Sequence, residues 1–150
     1  MAILWSEDLA TGVAVIDSQH QELFIRIGNL LDACSLGKGR DEVKKTIAFL
    51  EDYVITHFKA EEAHMTYSGY PEFSQHRKQH IEFMENFGKL KKQFETEGPG
   101  LTTVVTTNHL VVDWLKNHIR KLDKALGEHL KTSAAGSPGT DRQSSGNSPR

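Results

Sequence analysis

Apolar residues recur every three or four positions through four long stretches of this chain, and glycine or proline separates each stretch from the next. Side chains at that spacing share one face of a helix, so the chain carries four amphipathic rods that must bury against one another. Runs of alternating apolar and polar residues, which a half-buried strand requires, are nearly absent. The expected fold is all-α: an up-down-up-down antiparallel four-helix bundle, because short connections leave successive helices side by side.

The first helix is expected to begin after Asp17, a good N-cap, and to bury Leu23, Phe24, Ile27, Leu30 and Leu31, with His20 on the same side. Cys34 continues that stripe as a small core residue. A second helix starts near Arg40 or Asp41, buries Val43, Ile47, Leu50 and Val54, and carries His57 and Glu61 along the same stripe until Gly69 and Pro71 end it. The third follows Pro71 and lines up His76, His80, Phe83, Phe87, Leu90 and Phe94 before Gly98-Pro99-Gly100. The fourth spans about Leu101 to Leu130, with Val104, Val111, Leu115, His118, Ile119 and Leu122 inward. Trp5, Val13, Val15 and Ile16 make the opening stretch from Met1 to Ile16 too apolar to leave in water, so it is expected to pack along the bundle as a nonhelical arm. From Thr132 to Arg150, serine, glycine, proline, asparagine and glutamine dominate, and a disordered tail is expected after a domain of residues 1–131.

At 150 residues the chain is long enough to bury one core without disulfide staples. Its formal net charge of -2 offers no basic field to hold a phosphate backbone, which argues against nucleic acid as a partner. No apolar run approaches the ~20 residues of a membrane-spanning helix. The single cysteine fits a reducing compartment, and Met1 to Ala10 lacks the regions of a secretory signal, so the expected location is cytoplasmic. The near-neutral charge favours a monomer.

Against this plain scaffold stands a set of donors on all four helices: His20; His57 with Glu61; His76 with His80; His118 with Asp123. Five imidazoles and two carboxylates are more donors than one ion takes, since zinc normally accepts four. The count therefore points to two metals sharing the carboxylates, with a position left for something small. Residues four apart lie on one helical face about 6 Å apart, so His57 with Glu61 and His76 with His80 can each reach one point in the core. His118 and Asp123 are five apart, which leaves them roughly 140° apart on an ideal helix. Either the aspartate reaches around from the edge of the stripe, or the backbone widens there in a π-bulge.

In order and spacing, Asp17-Ser-Gln-His20, His57-Phe-Lys-Ala-Glu61-Glu62, His76-Arg-Lys-Gln-His80 and Trp114-Leu-Lys-Asn-His118-Ile-Arg-Lys-Leu-Asp123 make the chain resemble the hemerythrins, most nearly the single-domain bacterial ones, over about residues 1 to 130. The resemblance implies two non-haem iron ions: one held by His76, His80 and His118, the other by His20 and His57. Glu61, Asp123 and a solvent-derived oxygen would bridge them, and dioxygen would bind at the position left open on the second. It also implies that Leu23, Phe58, Trp114, Leu115 and Ile119 line the oxygen pocket, where a dry wall slows autoxidation. Ordinary core packing would bury the same residues.

The implied function is reversible oxygen binding for storage, transport or delivery to an oxygen-consuming enzyme, without catalysis. Five neutral imidazoles and two carboxylates leave less anionic charge on the metals than the four carboxylates and two histidines of ferritin-like diiron enzymes, which favours binding oxygen over cleaving it. The alternatives are a diiron redox enzyme (peroxidase, nitric oxide reductase or iron oxidase) and an oxygen or redox sensor. The remaining polar residues read more plainly. Glu62 is expected to be a solvated helix charge, His64 to lie near the ligand face or at the surface, and His109 and His129 to stand apart, while Tyr67 and Tyr70 could close one end of the bundle.

Overall fold

The computed structural model describes residues 5–136, and among them no strand occurs. Helices α1 (Ala14–Ser35), α2 (Arg40–Ser68) and α3 (Phe73–Glu97) are followed by a fourth rod that alternates between two helix types. It runs as α4 (Leu101–Thr107), a π segment (Asn108–Asp113), α5 (Trp114–His118), a second π segment (Ile119–Asp123) and α6 (Lys124–Gly136). Backbone angles at every joint stay in the right-handed helical region, so the rod is continuous. α1 packs on α2 and on the fourth rod, α2 on α3, and α3 on the fourth rod, which closes the ring of an antiparallel four-helix bundle.

Punctuation falls where left-handed backbone is needed. Gly69 ends α2 at φ 65° and ψ 41°, and the N–H of Tyr70 returns to Met65 O at 2.9 Å, which satisfies carbonyls the helix leaves open. Gly98 closes α3 at φ 76°.

The interior is divided. A long core of Leu23, Phe24, Ile27, Leu30, Leu50, Phe83, Phe87, Leu90, Leu115 and their neighbours fills most of the bundle. Each such side chain contributes about 1.5–3 kcal/mol when fully buried. A short second cluster of Ile16, Met65, Tyr70 and Leu126 closes one end. On every helix the polar donors lie in sequence between residues of the long core and residues of the short cluster, which makes them a layer sandwiched between two apolar plugs.

Four expectations are corrected. α1 starts at Ala14, not after Asp17, because the Asp17 carboxylate is turned back onto the arm: it accepts Thr11 N–H at 2.8 Å, the Thr11 hydroxyl at 2.9 Å and Gly12 N–H at 3.2 Å. The arm is not wholly nonhelical, since Glu7–Leu9 forms a 3-10 turn that buries Leu9 against the long core. Leu122 is half-buried instead of inward, because the π segment around it turns Asp123 to the inner face. The fourth rod also continues to Gly136, five residues into the stretch expected to be disordered, and residues 137–150 lie outside those described.

Candidate metal centre

All seven sequence-derived donors meet in that polar layer, and none is more than 2 % exposed. They fall into two groups whose ligating atoms lie within 4.8 Å of one another: His76, His80 and His118 with Glu61 and Asp123, and His20 and His57 with the same two carboxylates. The oxygens are divided between the groups. Glu61 Oε1 faces His80 Nε2 at 3.1 Å and His76 Nε2 at 3.5 Å, whereas Oε2 faces His57 Nε2 at 3.3 Å and His20 Nε2 at 3.5 Å. Asp123 Oδ1 faces His76 at 3.0 Å and His118 at 3.1 Å, whereas Oδ2 faces His20 at 2.9 Å. Each carboxylate therefore presents one oxygen to each group.

The second π segment resolves the five-residue spacing. Its wider turn closes the offset an α-helix would leave, so His118 and Asp123 address the same point.

Apart from His80 Nε2 to Glu61 Oε1, these close approaches are not hydrogen bonds. The Nε2 atoms of His20, His57, His76 and His118, both oxygens of Asp123 and Glu61 Oε2 are buried and have no hydrogen-bond partner among the described residues. Such groups cost several kcal/mol when left unmatched in a core. His80 makes the point sharply: its Nδ1 is 2.9 Å from Glu62 Oε2 and its Nε2 is 3.1 Å from Glu61 Oε1, yet a neutral imidazole has only one hydrogen to share. A cation between the Nε2 atoms and the carboxylates satisfies every one of them, so the donor set fits metal ions.

Electrostatics point the same way. Burial acts most strongly on Asp123 and Glu61 and would raise both, but neighbouring histidines outweigh it: His118 and His20 hold Asp123, and His57, His20 and His76 hold Glu61, well below the usual carboxylate range. Burial likewise pushes the His20 and His76 rings down, and Asp123 and Glu61 overcome it and raise both to about 9. The layer is built around two fixed negative charges.

Sequence reasoning missed the outer partners of the donor histidines. His57 Nδ1–H donates to Gln19 Oε1 at 2.7 Å, His80 Nδ1–H to Glu62 Oε2 at 2.9 Å, and His118 Nδ1–H to Gln79 Oε1 at 3.0 Å. Glu62 is thus not the free helix charge expected of it. The signal was present in its position one residue after a donor, which turns it about 100° toward the neighbouring helix.

Two of the expected pocket residues lie directly against donors of the layer. Phe58 stacks on His80 with ring centres 3.9 Å apart and planes 7° apart, and Trp114 stacks on His118 at 4.6 Å and 13°. Leu23, Leu115 and Ile119 are buried in the long core, and the half-buried Trp114 donates its Nε1–H to Glu82 at 2.9 Å. At the other end Tyr70 lies 6.4 Å from the His76 ring and 4.9 Å from His129, while Tyr67 is 95 % exposed and closes nothing. His129 bonds Ser68 O at 3.1 Å, His109 is exposed and His64 half-buried, and none joins the donor groups.

A four-helix bundle with a buried His/Glu/Asp layer defines a class, and comparison with known proteins identifies it. Residues 11–130 match the family model of the hemerythrin HHE cation binding domain. The bacteriohemerythrin of Methylococcus capsulatus is 35 % identical over 123 residues, covering 82 % of this chain and 92 % of that protein. The hemerythrin subunit alpha of Lingula reevii is 31 % identical over 115 residues, covering 77 % and 84 %. A crystal structure of wild-type hemerythrin superposes with a TM-score of 0.76 at 34 % identity, covering 87 % of this chain and 98 % of the other. The chain belongs to the hemerythrin family. None of its described helices is long and apolar enough to cross a membrane.

Proposed function

We propose that this hemerythrin binds dioxygen reversibly at a pair of iron ions, with His76, His80, His118, Glu61 and Asp123 holding one and His20, His57 and the same carboxylates holding the other. The observation that carries the reading is the division of carboxylate oxygens: Glu61 and Asp123 each give one oxygen to each histidine group, as bridging ligands must. When bound, the ferrous pair supplies the two electrons that oxygen uptake requires. The histidine groups are unequal, three against two, which leaves the two-histidine side short of donors and able to accept a small ligand.

The rest of the task falls to side chains that do not touch metal. Phe58, Leu115, Ile119 and Leu23 keep water away from the layer, and water is what would carry protons to a bound ligand and make its loss irreversible. Trp114 covers His118 from the outside and is itself tethered through Glu82. A dry apolar wall of this kind suits carriage more than catalysis, which needs a proton relay at the reacting atoms.

The test is anaerobic loading with ferrous iron, a count of iron per chain, and visible absorption through cycles of air and degassing. Two irons and a colour that returns through repeated cycles are expected. Bleaching to a stable oxidised form on the first exposure would sink the carrier reading in favour of an enzyme or redox sensor. His118→Ala should lower iron content, because it removes a donor from the fuller side.

A further inference from the structure

The outer partners of the ligands follow a rule. Gln19 sits beside donor His20 on α1 and holds His57 on α2; Glu62 sits beside donor Glu61 on α2 and holds His80 on α3; Gln79 sits beside donor His80 on α3 and holds His118 on α5. Each acceptor is thus the sequence neighbour of one donor and the hydrogen-bond partner of a donor on the next rod. The origin is geometric. Adjacent residues on a helix point about 100° apart, so when one faces the bundle axis its neighbour lies on the edge against the adjoining helix. The three bonds stitch the first rod to the second, the second to the third and the third to the fourth at the level of the donors.

Because each partner atom is an oxygen, the hydrogen of each imidazole is held at Nδ1 and the Nε2 lone pair faces the interior. His20 and His76 lack this support: their Nδ1 atoms are buried without a hydrogen-bond partner among the described residues. Of the three acceptors only Glu62 is charged. Its Oε1 lies 3.7 Å from Arg77 Nε, which orients the carboxylate so that Oε2 meets His80. A carboxylate behind an imidazole makes that ring a stronger donor than an amide does, and stronger donation favours the more oxidised metal.

Resting on the iron reading above, we propose that Gln19, Glu62 and Gln79 are positioning residues of the metal centre, and that Glu62 lowers its reduction potential through His80. The proposal concerns residues that coordinate nothing, so it separates into a geometric part and an electronic part. Truncation tests the first. Exchange of amide for carboxylate tests the second, since both keep an acceptor oxygen at the same place.

The experiment uses the full chain loaded anaerobically with iron, with iron affinity from chelator competition and midpoint potential from spectroelectrochemistry. Glu62→Ala should weaken iron binding by about 10–100-fold. Glu62→Gln should raise the midpoint; a tenfold weaker preference for ferric over ferrous iron corresponds to about 59 mV upward for a one-electron step. Gln79→Glu should move it the opposite way, by placing a charge behind His118. Glu95→Gln is the control: it removes one exposed carboxylate on the same helix as His80, about 22 Å along the axis, and should change neither quantity. Thermal unfolding of the metal-free variants verifies that each folds. Wild-type iron affinity in Glu62→Ala overturns the positioning role, and midpoints in Glu62→Gln and Gln79→Glu equal to that of Glu95→Gln overturn the tuning role. A wild-type chain that takes up no iron overturns the metal reading itself, which is a distinguishable failure.

Discussion

Glu61 and Asp123 organise the site at the scale of single residues. Both are fully buried, and their charge keeps protons on His20 and His76 up to about 9 against the effect of burial. For a histidine whose folded value lies above the ordinary 6.5, the stability it contributes is complete below about 6.5 and is lost as pH rises through about 9. The two carboxylates are depressed, so their contribution holds above their ordinary values and fades as pH falls. Metal must displace the protons on His20 and His76. Binding to the apo protein between pH 6.5 and 9 should therefore release protons and tighten as pH rises, which calorimetry in buffers of different ionisation enthalpy reads directly. Zero proton release at pH 7.5 would contradict the coupling. Leu115, buried in the long core three residues before His118, tests the proposed pocket. Leu115→Ala should cost about 2–5 kcal/mol of stability, leave iron bound, and speed autoxidation, followed as decay of the oxygenated spectrum; an unchanged decay rate would refute its role as a barrier.

At the scale of elements, the arm packs across the fourth rod on both sides of Asp123. Arg120, in the second π segment, pairs with Asp8 of the arm at 3.0 Å, and Gly127 lies so close to the arm that an added Cβ would sit 2.4 Å from Thr11 O and 2.9 Å from Thr11 Cβ. Gly127→Ala should thus be destabilising by about 1–3 kcal/mol or more, although glycine to alanine within a helix ordinarily gains stability. Gly88 of α3, with nothing within 4 Å of an added Cβ, provides the contrast: Gly88→Ala should gain about 0.5–1 kcal/mol. Urea unfolding of the pair measures both signs, and equal gains would mean that the arm does not press on the rod.

The whole molecule pays for its site with a layer of unmatched polar atoms between two apolar clusters. Binding energy from metal should return as stability. At a free metal concentration 1,000 times Kd, the gain is about 4 kcal/mol, which for a domain of this size raises Tm by roughly 8–16 °C. Calorimetric scans with and without metal check it. A Tm indifferent to metal would show that the donor layer does not couple to folding.

The pattern of the chain alone determined the bundle, the number of rods and the seven donors that meet in its interior, because helical periodicity and donor spacing are local properties written at fixed intervals; the family was legible as a resemblance carried by the motifs around those donors. His57 with Glu61 and His76 with His80 needed no coordinates to be placed on one face. Asp123 did. Whether five residues bring it back to His118 depends on a π segment, a widened turn that residue spacing alone does not choose. Asp17 illustrates the same limit: its type suits an N-cap, but the arm folding back captured its carboxylate instead. Glu62 shows it most clearly, since a residue 100° from the inner face is a surface charge on an isolated helix and a ligand's partner once a second helix lies against that edge. Only tertiary structure brings that edge and His80 together, because the contact joins two rods and exists in neither.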